Sequence, residues 1–209
     1  MAREVHKPSK QAVKRVAAAG GSRKAGAVSH KAAKPASEPL AAVAQDGIAI
    51  SAKAKALPGT AAVLAIGDEV LRGEIANSNA AYLSDRLFDA GYDVRAHRVV
   101  SDTPADIRAA VESLAGEVAV IVATGGLGPT EDDRTVDVVS ELLGVGVTEH
   151  APSLDAMKQR FSAHGFALTP NNLRQVRIPA GATAFANPAG IAPGFCLRIG
   201  EAEAYFLPG

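Results

Sequence analysis

Val118-Ala-Val-Ile-Val-Ala123 runs straight into Thr124-Gly-Gly-Leu-Gly-Pro-Thr130 and then Glu131-Asp-Asp-Arg-Thr135. Six consecutive apolar residues, four of them β-branched, predict a strand buried on both faces, as in the middle of a parallel sheet. The glycines that follow allow backbone conformations closed to other residues and clear side chains from the approach path, so a bound group can come close to backbone amides. Thr135 opens a helix that keeps Val136, Val139 and Leu143 in phase and ends at Gly144. Strand, loop and helix of these lengths build an α/β domain, whose ligands sit beyond the carboxyl ends of the strands.

Two more such units precede this one. Ala61-Ala-Val-Leu-Ala-Ile66 predicts a buried strand ending at Gly67, and a helix from about Asn79 places Leu83, Leu87 and Ala90 on one face and stops at Gly91. Val94 to Val100 predicts the second strand. The next helix carries its own punctuation: Thr103 as N-cap, Pro104 at the first position, Asp106 at the third, then Ile107, Ala110, Val111 and Leu114 along one stripe. Beyond Gly144, helices are expected from Ser153 to His164 and from about Asn171 to Val176, with short strands at Gly194 to Ile199 and Ala204 to Leu207. The chain stops at Pro208-Gly209, directly after an apolar strand, and so reads as cut short.

The 209 residues balance 22 Lys and Arg against 22 Asp and Glu, but the charge is unevenly placed. Residues 1–58 hold eleven basic and three acidic residues, a surplus of +8 that the rest of the chain offsets with −8. All nine aromatic residues lie in the second part, the first being Tyr82. A segment rich in Ala, Lys, Pro and Ser without large apolar anchors cannot offset its ordering entropy. Residues 1–58 are therefore expected to form a disordered basic tail capable of weak contact with nucleic acid, and residues 59–209 the folded domain. No stretch reaches the roughly 18 to 20 apolar residues of a bilayer crossing. The single cysteine, Cys196, excludes an internal disulfide and suits a soluble protein of a reducing compartment, the cytoplasm.

The glycine loop is not a dinucleotide fingerprint, since Glu131 stands where a third glycine is needed, and not a P-loop, since no Gly-Lys-Ser/Thr follows. Its amides beside a helix N-terminus suit phosphate or pyrophosphate, although a glycine turn after a strand also serves packing alone. The acids that follow it have two readings as well. They complement the helix dipole, or they hold a divalent cation or perform acid–base chemistry beside bound phosphate. Asp68 and Glu69 after the first strand and Asp102 after the second fall on the same sheet edge, so topology brings carboxylates from three strand ends to one crevice. His97, His150 and His164 show no ligand spacing, and Cys196 reads as core packing.

Ala65-Ile-Gly-Asp-Glu-Val-Leu-Arg-Gly73, Asn77-Ser-Asn79, Thr124-Gly-Gly-Leu-Gly-Pro-Thr-Glu-Asp-Asp-Arg-Thr135, Pro170-Asn-Asn172, Asn187-Pro-Ala-Gly-Ile-Ala-Pro-Gly-Phe195 and Phe206-Leu-Pro-Gly209 occur in this order. The set resembles the amino-terminal domain of CinA, the competence/damage-inducible protein family, within the MoaB/Mog molybdopterin-binding superfamily. The resemblance covers about residues 60 to 209.

This resemblance implies a three-layer α/β/α fold with a mostly parallel sheet, a homo-oligomer, and a glycine loop that binds a nucleotide or a pterin-pyrophosphate. The implied activity is a divalent-metal-dependent (Mg, Mn or Co) ADP-ribose pyrophosphatase. The alternatives are a non-catalytic module holding molybdopterin or a nucleotide, and an enzyme of the molybdopterin adenylyltransferase type. On the matching positions, Asp102 and Asp133 are the implied catalytic residues and Glu69 and Asp133 the implied metal ligands. Gly125, Gly126 and Gly128 are expected to contact phosphate. Gly67, Asp68, Asn77, Asn79, Thr124, Leu127, Thr130, Asp132, Thr135, Asn187, Gly190, Pro208 and Gly209 complete the expected substrate site.

Overall fold

The structure is a computed structural model and describes residues 57–209. Except for its last two residues, the expected basic tail lies outside this range. Those two, Leu57 and Pro58, open β1 (Leu57–Ile66), which starts four residues earlier than the apolar run suggests. Proline has no amide to give to a ladder, and the pairing register shifts between Leu57 and Ala61 before settling over the apolar run.

β1 pairs in parallel with β2 (Asp93–Val100) on one side and β3 (Val118–Thr124) on the other. β3 pairs in parallel with β8 (Ala202–Leu207), and β7 (Gly194–Ile199) and β6 (Thr183–Phe185) extend the sheet by antiparallel pairing. The order is β2-β1-β3-β8-β7-β6, a mixed sheet with a parallel centre. β4 (Val147–Glu149) and β5 (Arg177–Pro179) form a separate antiparallel pair. Strands of three residues are too short for alternation to register, so β4, β5 and β6 left no mark in the pattern.

β3 sets the layers. Its Ile121 and Ala123 join a core with Leu64, the α3 (Pro104–Ala115) residues Ile107, Val111 and Leu114, and the α4 (Thr135–Leu143) residues Val136 and Val139. Val120 and Val122 point the other way and join Ala61, against which Leu83 and Leu87 of α2 (Ser78–Asp89) pack. Helices thus cover both faces, as the doubly apolar strand requires. The core continues to the β7–β8 hairpin, where Phe195 and Phe206 stack at 4.9 Å between ring centroids. Both rings are fully buried, and truncating either to alanine would cost about 3–5 kcal/mol.

The expected caps hold at α3, where the Thr103 hydroxyl accepts from the Asp106 amide at 3.4 Å. α2 begins one residue earlier than expected because the Asn77 side chain caps it, accepting from the Ala80 amide at 3.1 Å. The stretch after β1, expected as loop, contains a single helical turn, α1 (Asp68–Leu71). α5 (Ala151–Ala163) starts two residues earlier than expected with Pro152 in its first turn, and α6 (Pro170–Arg174) stops short of Val176. Among the described residues no helix is long and apolar enough to cross a membrane.

Candidate active site

The carboxyl ends of β1, β2, β3 and β8 open onto a cleft of about 1260 Å³. Gly67, Asp68, Glu69, Arg72 and Glu74 after β1 and Asp102, Thr103 and Pro104 after β2 form an acid-rich rim. The glycine loop and its acidic continuation form the floor, with Pro208 and Gly209 alongside. Gln175 and the Asn187 to Ala192 loop make the remaining wall.

The floor takes its shape from Gly125 and Gly126, with φ of 104° and 67°, a region that disfavours side chains. A Cβ on Gly125 would stand 2.0 Å from the Ile66 carbonyl oxygen, and one on Gly126 2.1 Å from Thr135 Oγ1. Thr135 is fully buried. Its hydroxyl donates to the Gly125 carbonyl at 3.0 Å, and its amide donates to the Gly126 carbonyl at 3.2 Å. In a trans peptide the N–H points opposite to the preceding C=O. Tying both carbonyls back to Thr135 therefore turns the Gly126 and Leu127 amides away from α4, and among the described residues neither donates to an acceptor. The other two glycine amides are already engaged: Gly125 donates to Leu207 O at 3.1 Å and Gly128 to Asp133 Oδ1 at 2.7 Å. The loop amides without an acceptor are thus Gly126 and Leu127, whereas those of Gly125 and Gly128, expected to contact phosphate, are engaged within the protein.

Asp133 is committed to its own loop. Besides the Gly128 amide, it accepts from the Thr130 amide at 2.8 Å and the Thr130 hydroxyl at 2.6 Å through Oδ2. Oδ2 is saturated and one lone-pair direction of Oδ1 remains.

On the rim, Asp102 Oδ2 accepts from the Asp68 amide at 3.0 Å, leaving Oδ1 free. Burial holds the Asp102 carboxyl above its ordinary range; the carboxylates of Glu69, Asp68 and Asp133 push the same way, against the Asp68 amide bond. The Asp68 side chain pairs with Arg72. Glu69 folds back over Gly67, where a Cβ would meet its Oε1 at 2.7 Å.

Gly67, Asp68, Glu69, Asp102, Gly125, Gly126, Leu127, Gly128, Thr130, Asp132, Asp133, Asn187, Gly190, Pro208 and Gly209 all line the cleft. Asn77, Asn79, Thr124 and Thr135 do not. Asn77 caps α2, and Asn79 is an exposed residue of its first turn. Thr124 is buried at the end of β3, paired with Ala65 and Leu207, and Thr135 braces the loop from behind. Asn187 lines the wall but spends its amide on its own loop, donating to Ala192 O at 3.0 Å and accepting from the Ala189 and Gly190 amides at 3.1 and 3.0 Å. Sequence reasoning missed Arg72, Arg134, Gln175 and Ile191 in the lining. For Arg72 the signal was its position four residues after Asp68, visible only once that stretch is seen to be helical.

Fold and site together define an α/β domain with a glycine-loop cleft at the carboxyl edge of a mostly parallel sheet. The chain belongs to the family described as "Probable molybdopterin binding domain", whose model matches residues 62–209. It is similar to a CinA-like protein of Anaeromyxobacter sp. (strain Fw109-5), 46% identical over 147 residues that cover 70% of this chain and 36% of that protein. A CinA-like protein of Myxococcus xanthus (strain DK1622) is 40% identical over 147 residues, covering 70% and 35%. The chain spans about a third of the length of these curated relatives. The crystal structure of the protein CinA with unknown function from Thermoplasma acidophilum matches with a TM-score of 0.66 at 34% identity, over 72% of this chain and 88% of that one. The resemblance carried by the sequence motifs and the α/β class both hold.

Proposed function

We propose that this chain hydrolyses the diphosphate of a nucleotide with the help of a divalent cation, ADP-ribose being the substrate and AMP and ribose 5-phosphate the products. The observation that carries the reading is that the unengaged Gly126 and Leu127 amides share one cleft with the free oxygens of Glu69 and Asp102. The amides hold diphosphate oxygens, as backbone donors at a helix entrance do. Asp102, whose carboxyl binds its proton more tightly than usual, takes the proton of the attacking water at Oδ1. The P–O–P bond breaks, and each phosphate leaves with one of the two sugars.

The acid rim fits a hard cation, because the acceptors it offers are oxygens, most of them carboxylate. Among the described residues no three His, Cys, Asp or Glu side chains are grouped to hold a metal. The protein would therefore supply one or two carboxylates, with the ligand's own phosphate oxygens completing the shell. Glu69 is the first candidate, since Asp68 is paired with Arg72 and Asp133 with its own loop. When bound, the cation would neutralise the charge that builds on the diphosphate.

One observation favours a second reading, in which molybdopterin or a nucleotide is held without turnover: Asp133, the expected second catalytic acid, acts as a loop clasp. The full chain incubated with ADP-ribose and Mg, Mn or Co decides between them. Equal amounts of AMP and ribose 5-phosphate are expected, with Asp102→Asn slower by about a hundredfold. No AMP with any of the three ions, together with saturable ligand binding in calorimetry, leaves the binding module.

A further inference from the structure

Three arginines meet at one aspartate beside the outgoing end of the glycine loop. Asp137, in the first turn of α4, accepts from Arg177 at 2.9 Å and from Arg174 at 3.4 Å, and lies 3.7 Å from Arg134 Nε. The side chains are half-buried or deeper, from 22% exposed at Asp137 to 40% at Arg134. The Nε of each arginine is buried and has no hydrogen-bond partner.

Guanidinium does not give up its proton in a protein, so three cations on one carboxylate leave two positive charges in excess. Half-buried like charges repel, and their desolvation is offset only if another anion arrives. Arg174 and Arg177 together take up the charge of Asp137, so Arg134 is left largely uncompensated. Arg134 is also the member that lines the cleft. Among the described residues Arg134 makes no ion pair with a carboxylate other than Asp137. Asp133 is turned onto Gly128 and Thr130, its carbonyl accepting from Arg174 at 3.3 Å, while Glu131 and Asp132 are exposed, where water and salt screen them.

We propose that Arg134, backed by Arg174 and Arg177 around Asp137, forms an anion-binding corner of the cleft that takes a phosphoryl group of the ligand without a metal. The guanidinium fork matches phosphoryl oxygens in charge and in hydrogen-bond direction. The corner and the acid rim line the same cleft, which therefore offers a cation-dependent site at Glu69 and Asp102 and a metal-independent one at Arg134. The proposal relies on the hydrolase reading only for the ligand's phosphoryl groups, and the corner itself stands on the arginine cluster.

The probe is inorganic phosphate, titrated calorimetrically into the full chain in the presence of a chelator. Wild type is expected to bind, Arg134→Gln to bind about tenfold more weakly, and Arg134→Lys to recover part of the loss, since a charge-assisted contact is removed and then partly restored. Arg177→Gln touches no cleft group, yet should also weaken phosphate, because Asp137 is then freer to neutralise Arg134. Thermal melts establish that each variant is folded. Equal affinity of wild type and Arg134→Gln, or no phosphate binding by metal-free wild type, overturns the proposal. AMP release is not the readout, so an inactive protein that binds phosphate through Arg134 refutes only the hydrolase reading, and an active one indifferent to Arg134 refutes only the corner.

Discussion

The carboxylate of Asp133 clasps the glycine loop to itself, accepting the Gly128 amide at 2.7 Å through Oδ1 while Oδ2 accepts both donors of Thr130. An acid adjoining a phosphate-type loop invites a catalytic role, yet three donors within five residues claim this one. Its effect on the ligand is exerted through the shape of the loop and, at longer range, through the field it adds at Asp102.

Asp133→Asn tests the clasp. An amide of the same shape sets its NH2 against donors on one side, so at least one loop N–H loses its acceptor. The expected cost is about 1–3 kcal/mol in denaturant unfolding. Faster hydrogen exchange at Gly128 and Thr130 should accompany it, and unchanged exchange at both amides would contradict the assignment.

Gly125→Ala should be among the most damaging single changes in the domain. Its Cβ would stand 2.0 Å from a backbone oxygen of β1, in addition to the strain of φ 104°. Gly73→Ala separates the two effects, since Gly73 has φ 72° but nothing within 4 Å of its Cβ. About 1 kcal/mol is expected at Gly73 and more than about 4 kcal/mol at Gly125, in the same urea titration.

Thr135→Val removes the hydroxyl behind the loop while keeping the shape. The Gly125 carbonyl loses its side-chain donor in a part-buried setting, for an expected cost of about 1–3 kcal/mol, whereas Thr135→Ser, which keeps the hydroxyl, should cost less. If the two variants unfold at the same denaturant concentration, the hydrogen bond does not brace the loop.

Asp102→Asn should trade activity for stability. The carboxyl is raised above its ordinary value of 3.8, so only in the window between that value and the raised one does the folded protein keep a proton that the unfolded chain has released. Stability therefore falls as pH rises from the unfolded value through the raised folded one, and the ionised group is a burden above it. Asparagine carries no such charge and still accepts from the Asp68 amide. Its melting temperature should exceed that of wild type at neutral pH, with the advantage shrinking as pH falls towards 3.8. A variant less stable than wild type at neutral pH would show that the carboxylate is held favourably.

Much of the fold could be read locally. The run Val118 to Ala123 is apolar on both faces and accordingly lies at the centre of the sheet with a core on each side. Thr103, Pro104 and Asp106 marked the start of α3 because capping is a contact within three residues. α1 and the three-residue strands were hidden, since neither a single turn nor a three-residue strand completes a period.

The site divides in the same way. Residue type and strand order placed Asp68, Glu69, Asp102 and the glycine loop on one cleft, because side chains at the carboxyl ends of neighbouring parallel strands share an edge whatever the details of packing. Composition could not say which amides face the ligand or which carboxylates are free. Those outcomes depend on competition between hydrogen-bond partners across the fold: Thr135 reaching back ten residues to Gly125, Asp68 lending its amide to Asp102 thirty-four residues on, and Arg174 meeting Asp133 from forty-one residues away. Distances of that kind are set when the helices dock on the sheet, and docking turned Asp133 into a clasp and left Arg134 exposed to the cleft.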